Sequence, residues 1–164
     1  MKEFTDIIEK ARLLAQMTEE ELRELWEQSL RLDAGSVIVE IGTFRGGSAI
    51  ILDAGRAKVY TIDINGIEPI PDTNLNMVIG ESTVVASIWK EPIDLLFIDG
   101  DHHYESVSAD LKAWLPHVKL KGRVLFHDYD SHLGVTMAAH RAIEDKSLEP
   151  IKKVGCLLVT VKNN

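Results

Sequence analysis

Short runs of β-branched and aliphatic residues alternate with longer segments of helical periodicity, and this alternation limits the folds open to the chain. Five such runs occur, at residues 37–41, 59–63, 76–80, 93–99 and 123–128. Four segments with helical spacing lie between or after them, at 46–55, 82–89, 104–115 and 134–146. Because each run is nearly all apolar, we expect a parallel sheet whose two faces are both covered by helices.

The two ends of the chain depart from this alternation. Apolar residues recur at helical spacing from Phe4 to Leu14, and Thr18-Glu19-Glu20-Glu21 has the form of a capping box that opens a second helix. At the other end, 150–153 and 156–161 are separated by two residues, so they can pair only as an antiparallel hairpin. The sequence therefore predicts an α/β fold: a doubly wound, mostly parallel seven-stranded sheet with an antiparallel C-terminal strand and two N-terminal helices.

Length and charge indicate one acidic domain. A chain of 164 residues falls within the usual range of a single domain and can bury a core without disulfides or a structural metal. We expect one domain over 1–164, with 1–34 as a helical N-terminal cap and 35–164 as the α/β core. The net charge of −8 disfavours a nucleic-acid partner, because a phosphate backbone requires a basic patch.

Cysteine usage and hydropathy bear on the compartment. Cys156 is the single cysteine, which indicates a reducing environment. No apolar stretch approaches the roughly 20 residues of a membrane span, and the acidic N-terminus lacks an apolar signal core. We therefore expect a cytoplasmic protein with no membrane partner.

Glycine, acidic and imidazole residues gather where the predicted parallel strands end. In an open α/β sheet, ligands bind beyond the carboxyl ends of the strands, where the strand order reverses. Each cluster alone is weak evidence, but five clusters on one edge of one sheet predict a site. The clusters are 40–48, Asp63, 80–82, 99–103 and 127–129.

The first of these loops carries glycines at 42, 46 and 47 and departs from both common nucleotide motifs. Thr43 and Phe44 follow Gly42 where G-x-G-x-x-G needs a second glycine, and no Gly-Lys-Ser/Thr occurs. A glycine turn at a helix start lets the backbone approach a ligand and offers free amides, although it can equally be a tight strand-to-helix turn. Asp63 lies 21 positions after Gly42 and can accept hydrogen bonds from a ribose diol or cap its own turn; we favour the ribose.

Four motifs combine in this chain: E-I-G-T-x-x-G-G-S, an acidic residue that closes the second strand, F-I-D-G-D-H-H-Y-E and G-R-V-L-F-H-D-Y. The combination resembles class I S-adenosylmethionine-dependent methyltransferases, most closely the small group with cephalosporin-hydroxylase-like and macrolide-sugar O-methyltransferases. The resemblance covers residues 35–162. It implies a Rossmann-like fold, S-adenosylmethionine as cofactor and methylation of a small hydroxylated molecule such as a sugar or natural product.

The resemblance also assigns cofactor contacts by position. The first loop matches the motif that cradles the methionine part of the cofactor, and Asp63 matches the acidic residue on the ribose hydroxyls. Residues 81 and 82 match positions near the adenine. The predicted cofactor-binding residues are Glu40, Gly42, Thr43, Gly46, Asp63, Glu81, Ser82 and Asp99.

The last two motifs supply candidate metal ligands and a candidate catalytic base. Asp99 and Asp128 match carboxylates that hold a divalent metal in metal-dependent O-methyltransferases, and His127 stands where those enzymes carry a further carboxylate or amide. His102 stands where catechol-type relatives carry a lysine base, and a histidine can also take the proton. We predict His102 and Asp99 as catalytic residues, and Asp99, His127 and Asp128 as ligands of Mg²⁺ or Mn²⁺.

The residue types support a metal independently of the resemblance. Seven metal-capable side chains follow the fourth and fifth strands: Asp99, Asp101, His102, His103, His127, Asp128 and Asp130. Carboxylates suit Mg²⁺, Ca²⁺ or Mn²⁺, and imidazoles shift the preference toward Mn²⁺, Fe²⁺, Co²⁺ or Zn²⁺.

Several alternatives stay open at this stage. Asp101 can instead cap the following helix, one of His102 and His103 is expected to be merely exposed, and His117, His132 and His140 are interpreted as surface or packing residues. The fold could also hold the cofactor or a metal without catalysis, whereas the missing G-x-G-x-x-G disfavours a nicotinamide oxidoreductase. The N-terminal helices could cover the active-site edge, pack on the sheet or form a dimer contact in a homo-oligomer.

Overall fold

The computed structural model describes residues 1–163 and shows seven strands and six α-helices in that part of the chain. The helices are α1 (Phe4–Leu14), α2 (Glu19–Leu30), α3 (Gly47–Leu52), α4 (Ser82–Ile88), α5 (Tyr104–Trp114) and α6 (Leu133–Glu144). The strands are β1 (Val37–Ile41), β2 (Lys58–Asp63), β3 (Asn76–Ile79), β4 (Ile93–Ile98), β5 (Val118–Phe126), β6 (Leu148–Val154) and β7 (Leu157–Lys162).

The seven strands form one sheet in the order β3-β2-β1-β4-β5-β7-β6. β1 to β5 pair in parallel, whereas β7 is antiparallel to both β5 and β6. The predicted Rossmann-like, mostly parallel sheet with an antiparallel C-terminal strand is confirmed. From β1 the chain proceeds outward through β2 and β3 and then returns to β4 on the other side of β1. The order therefore reverses between β1 and β4, which is where such sheets bind ligands.

The start of β5 differs from the sequence prediction. The strand begins at Val118, before the apolar run that starts at Arg123, and its register against β4 shifts between Ile93 and Leu95. Lys121 adopts a left-handed φ of 64° within this irregular half. Residues 119–121 (Lys-Leu-Lys) form no apolar run that would mark them as strand, because this half of β5 is largely exposed.

Helices cover both faces of the sheet and create two apolar cores. On one face, α5 and α6 bury Trp114 and Val135 against Phe126 of β5. On the other, Phe4 of α1 and Leu22 of α2 share a core with α3 and the central strands. The two N-terminal helices thus pack on one face of the sheet, which is one of the arrangements that the sequence left open. Within residues 1–163, no helix combines the length and apolarity that a membrane crossing demands.

Candidate functional site

Two cavities open side by side at the carboxyl ends of the parallel strands. The larger cavity, of about 820 Å³, lies over β1, β2 and β4 and is lined by residues that include Asp63, Glu81 and Ser82. The smaller cavity, of about 310 Å³, lies between the α1–α2 connection and the ends of β4 and β5. Both cavities share four lining residues: Gly42, Phe44, Asp99 and Gly100.

Gly42 allows β1 and β4 to approach each other where the two cavities meet. Its φ is +94°, and a Cβ at this position would collide with the backbone carbonyl of Asp99. Gly46, with φ +81°, forms the N-terminal boundary of α3, and a Cβ there would meet the side chain of Ile70. Gly46 lines neither cavity. Gly42 therefore shapes the site directly, whereas Gly46 shapes the β1–α3 loop without lining a cavity.

Glu40 stabilises the first loop through buried hydrogen bonds. Its side chain is fully buried, accepts a hydrogen bond from Ser48 Oγ at 2.5 Å and another from Thr61 Oγ1, and lines neither cavity. Thr61 Oγ1 in turn lies 2.5 Å from Thr43 Oγ1, so the chain of hydrogen bonds continues into the loop. Burial raises the pKa of Glu40 to about 8, despite the two hydroxyl donors, and the charge of Asp99 adds to the effect.

Asp63 fixes the same loop from the side of the larger cavity. Its Oδ2 accepts hydrogen bonds from the backbone N–H groups of Thr43 at 2.9 Å and Phe44 at 3.0 Å. Its Oδ1 accepts from the N–H of Asn65 at 2.8 Å, which is the turn cap that the sequence offered as the alternative to ribose binding. Because Asp63 also lines the larger cavity, the carboxylate both anchors the loop and faces the space for a ligand.

Glu81 and Ser82 lie at the start of α4, on the wall of the larger cavity. The Glu81 carboxylate caps the helix by accepting from the N–H groups of Thr83 at 3.0 Å and Val84 at 3.1 Å. The Thr83 hydroxyl and amide lower the pKa of Glu81. Ser82 Oγ accepts a hydrogen bond from Nε1 of the buried Trp114 at 2.7 Å. Trp114 is thus a core residue that also holds the Ser82 hydroxyl in place.

His127 is the buried centre of a cluster of carboxylates. Its Nδ1 lies 3.0 Å from Asp99 Oδ1 and 3.3 Å from Asp128 Oδ2, and its Nε2 lies 3.6 Å from Glu21 Oε2. Burial opposes the charged imidazolium, but the hydrogen bond to Asp99 and the three negative charges outweigh it and raise the pKa of His127 to about 9. The imidazole is therefore a cation near neutral pH.

The pKa values of the two aspartates beside His127 shift in opposite directions. Burial raises the pKa of Asp99, even though His127 favours its charged form. Burial would also raise the pKa of Asp128, but the charge of His127 and the hydroxyl of Ser131 outweigh it, so that the pKa falls. Asp99 and Asp128 thus differ in how readily each one holds a negative charge.

His102 and His132, which are more exposed than His127, also lie against Asp128. His102 Nε2 lies 2.9 Å from Asp128 Oδ2, and His132 Nδ1 lies 3.3 Å from Asp128 Oδ1. The two imidazole rings lie 4.2 Å apart at a tilt of 36°. Asp128 has a left-handed φ of 59°, so the chain turns sharply where β5 gives way to the loop that carries both carboxylate and imidazole groups.

Asp101 and His103 form a separate exposed pair. Asp101 accepts hydrogen bonds from His103 and from Ser106 Oγ at 2.6 Å, which hold its pKa well below the usual range. The residue before α5 is His103, without a side-chain cap, so the interpretation of Asp101 as the helix N-cap is wrong. His103 lines neither cavity, and of the two adjacent histidines only His102 reaches the cluster.

Two groups of side chains within residues 1–163 have the spacing to hold a metal ion: Asp99, His127 and Asp128, and His102, Asp128 and His132. In each group one donor atom from every residue lies within 4.8 Å of the others. The first group is the predicted metal triad. The second contains His132, which is exposed, as the sequence predicts. It nevertheless lies beside Asp128, because the turn after β5 brings the start of α6 beside the β4–α5 loop.

Sequence reasoning also missed Glu21 as a site residue. The predicted capping box is present, and Glu21 Oε2 accepts a hydrogen bond from the N–H of Thr18 at 2.7 Å. Its other oxygen accepts from the N–H of Cys156 at 2.6 Å, and the residue is almost completely buried. The only signal was a glutamate in a cap position, and nothing in the pattern relates it to residues more than 100 positions away.

Comparisons with known proteins agree with this architecture. A family model described as "Methyltransferase domain" matches residues 39–129, from β1 to the loop after β5. The chain is 28% identical over 117 residues to "Uncharacterized protein R132" of Acanthamoeba polyphaga mimivirus, an alignment that covers 57% of this chain and 52% of that protein. The chain thus spans about half the length of this curated relative.

Solved structures are similar in fold at low sequence identity. A MycE methyltransferase from the mycinamycin biosynthetic pathway, in complex with Mg and SAH, superposes with a TM-score of 0.74 at 15% identity, over 99% of this chain and 55% of that one. The O-methyltransferase NovP gives 0.74 at 17% identity, over 92% and 83% of the two chains. An O-methyltransferase from Bacillus cereus in complex with SAH gives 0.71 at 15% identity, over 99% and 92%.

Proposed function

The chain belongs to the methyltransferase-domain family of S-adenosylmethionine-dependent enzymes, and we propose that it catalyses metal-assisted O-methylation of a small hydroxylated substrate. A sugar or a polyhydroxylated natural product is the class we favour. The fold similarity to the macrolide-pathway enzyme MycE and to NovP supports this choice. The net charge of −8 favours a small molecule over a nucleic acid.

One observation carries the proposal: the two cavities adjoin. Gly42, Phe44, Asp99 and Gly100 line both the larger and the smaller cavity. A methyl donor in the larger cavity would therefore lie beside an acceptor in the smaller one. Methyl transfer is an in-line displacement, for which the main requirement is that donor and acceptor are aligned and water is excluded.

The larger cavity fits the cofactor in size and charge. Its volume of about 820 Å³ lies within the range of small-molecule sites, and the carboxylates of Asp63, Glu81 and Asp99 line it. We assign Asp63 to the ribose hydroxyls, Glu81 and Ser82 to the adenine end, and the loop at Gly42 to the methionine end. Thr43, which lines the smaller cavity, would reach the cofactor where the two cavities meet. Glu40 and Gly46, which line neither cavity, would act by holding this loop in shape. When bound, the cofactor supplies an electrophilic methyl group on a cationic sulfonium.

The smaller cavity offers ligands for a divalent cation. We assign Asp99 and Asp128 as the principal ligands, with His127 as the third. His127 must lose a proton to contribute, because an imidazolium has no free lone pair. A divalent cation such as Mg²⁺ or Mn²⁺ would supply positive charge that lowers the pKa of an acceptor hydroxyl. His102, 38% exposed and 2.9 Å from Asp128, is the group that would take the proton.

The pairing of His102 with Asp128 also favours a second candidate function. Because Nε2 of His102 faces Asp128 at 2.9 Å, only its Nδ1 is left to take a proton from an acceptor. The chain could then bind the cofactor or a metal without catalysis. Methylation assays with hydroxylated acceptors, beside calorimetry of SAH binding with and without Mg²⁺ or Mn²⁺, separate the two: SAH binding without turnover of any acceptor supports the second.

The decisive variant is Asp128→Asn. We expect it to abolish metal-dependent methylation and to leave SAH affinity unchanged, because Asp128 lines only the smaller cavity. Asp130→Asn is the matched control, since this neighbouring carboxylate pairs with Lys153 and lines neither cavity. Equal loss of SAH binding and activity in Asp128→Asn would assign Asp128 to folding. Absence of SAH binding by the wild-type chain would refute methylation and cofactor binding, and absence of metal binding as well would refute the second candidate.

A further inference from the structure

We propose that His102, Asp128 and His132 form a second cation site, selective for imidazole-seeking metals such as Zn²⁺, Co²⁺ and Ni²⁺. It shares Asp128 with the group formed with Asp99 and His127, and His102 and His127 lie near the same oxygen of this carboxylate. The binding claim depends only on the geometry of these three residues. Its consequence for catalysis, given below, rests on the proposed function.

The separations within the cluster match those of a metal's ligands. Ligands about 2.1 Å from a common ion are separated by about 3.0 Å in octahedral and 3.4 Å in tetrahedral geometry. In this structure His102 Nε2 lies 2.9 Å from one oxygen of Asp128, and His132 Nδ1 lies 3.3 Å from the other. One donor atom from each of the three residues lies within 4.8 Å of the others. Small side-chain adjustments therefore suffice to enclose an ion.

The donor types determine which ions this cluster prefers. Two imidazoles and one carboxylate suit Zn²⁺, Co²⁺, Ni²⁺ and Fe²⁺ better than Mg²⁺, which prefers oxygen ligands and keeps its waters. The neighbouring group with Asp99 has one imidazole, and carboxylates oppose both nitrogens of that ring. His102 and His132 are free of that constraint. Mg²⁺ and the imidazole-seeking ions are thus expected to prefer different ligand sets that share the same aspartate.

Exposure and backbone geometry make the cluster accessible. The side chains of His102 and His132 are 38% and 47% exposed, so solvent can supply the remaining ligands and an ion can enter directly. Asp128 is 18% exposed and its left-handed backbone directs its carboxylate to both imidazoles. Ser131 Oγ, 2.9 Å from Asp128 Oδ1, holds the carboxylate in this position.

Occupation of this site would inhibit the proposed methyl transfer. An ion bound to His102 takes the lone pair that the base needs to accept a proton. The ion also competes for Asp128, which is a proposed ligand of the catalytic cation. Mg²⁺ would therefore support the reaction, whereas Zn²⁺ would suppress it even when Mg²⁺ is present.

Co²⁺ alone is the probe for binding, because its visible absorption reports the geometry and donors of its coordination shell without any need for activity. We expect the metal-free wild-type chain to bind Co²⁺, and His132→Ala to weaken binding about tenfold or more, since even loss of an outer-shell partner commonly costs about tenfold. His103→Ala is the matched control, since His103 is 81% exposed and lies outside the cluster. His132→Asn, with its thermal melting curve beside that of the wild type, shows whether the variant protein is folded.

Equal Co²⁺ affinity in the wild-type chain and a folded His132 variant would overturn the site, as would an equal loss in His103→Ala. The catalytic consequence is tested separately, by the fraction of Mg²⁺-supported activity that Zn²⁺ removes from each protein. We expect inhibition of the wild type and of His103→Ala, and resistance in His132→Ala. Co²⁺ binding without Zn²⁺ inhibition would overturn the link to His102, whereas absence of turnover in every protein would refute the proposed function and leave the Co²⁺ result to decide the site.

Discussion

The carboxylate of Glu21, in the first turn of α2, lies 3.6 Å from Nε2 of the buried His127 at the end of β5. The same carboxylate accepts hydrogen bonds from the N–H groups of Thr18 and Cys156, at 2.7 and 2.6 Å. One side chain thus joins the start of α2, the β6–β7 turn and the candidate site. It also places a third negative charge against an imidazolium that already faces Asp99 and Asp128.

Glu21→Gln should destabilise the chain by about 1–3 kcal/mol, the usual cost of a lost acceptor in a buried position. A glutamine has one acceptor oxygen, so it cannot serve the amides of Thr18 and Cys156 at the same time. The measurement is the free energy of unfolding in urea at neutral pH. Glu20→Gln is the control, because Glu20 is exposed on the same turn. Equal effects of the two substitutions would show that Glu21 contributes no more than a surface charge.

Asp63→Ala should weaken SAH binding about tenfold to a hundredfold, which corresponds to about 1–3 kcal/mol for a lost acceptor pair. The substitution removes the proposed ribose contact and releases the amides of Thr43 and Phe44. Asp63→Asn, which retains one acceptor oxygen, should fall between Ala and the wild type. Calorimetry measures each affinity, with Glu68→Ala as an exposed control outside both cavities. Unchanged affinity in Asp63→Ala would place the ribose elsewhere.

Gly42→Ala should cost more stability than Gly35→Ala, although both glycines have similar backbone angles, φ +94° and +97°. Each substitution forces an L-residue into the left-handed region, at about 1–3 kcal/mol. At Gly35 the new Cβ meets no atom within 4 Å, whereas at Gly42 it collides with the carbonyl of Asp99. We expect only Gly42→Ala to lower SAH affinity as well. Urea unfolding and calorimetry on both variants measure the difference, and equal losses would reduce Gly42 to a turn residue.

The order of elements and the position of the site follow from patterns along the chain, because each depends on local spacing. Alternating apolar runs predict the parallel sheet, and Asp99, His127 and Asp128 follow neighbouring strands, so their convergence at one edge could be expected. Asp63 illustrates where pattern reasoning becomes ambiguous: its carboxylate both caps its turn and lines the cavity, so the two interpretations were not exclusive.

The rest depends on contacts that no spacing encodes. Glu21 and Cys156 meet because α2 packs across the β6–β7 turn, a relationship between the two ends of the chain. His132 enters the site because of left-handed turns at Asp128 and Asp130, residue types that give no clear sequence signal of such geometry. Glu40 has the predicted position in the first motif, but successive side chains of a strand point to opposite faces, and Ile41 rather than Glu40 lines the larger cavity.

The buried carboxyl of Glu40 should make stability fall as the pH rises. Burial raises its pKa from an ordinary value of 4.5 to about 8, so folding binds a proton between these values. Its contribution is therefore complete below about pH 4.5 and is lost as the pH rises through about 8, by at most about 1.4 kcal/mol per pH unit. We expect the urea-derived free energy of unfolding to decline more steeply in the wild type than in Glu40→Gln, which cannot ionise.

The comparison of the two proteins isolates Glu40 from other titrating groups. His127, with a pKa of about 9, also favours the folded chain at lower pH, and its contribution declines above its ordinary value of 6.5. Because His127 is present in both proteins, it cancels in the difference between their pH profiles. The difference should therefore open between about pH 5 and pH 8, although His127 titrates over part of the same range. Parallel profiles over that range would show that Glu40 is already ionised in the folded chain, with Ser48 and Thr61 stabilising its charge.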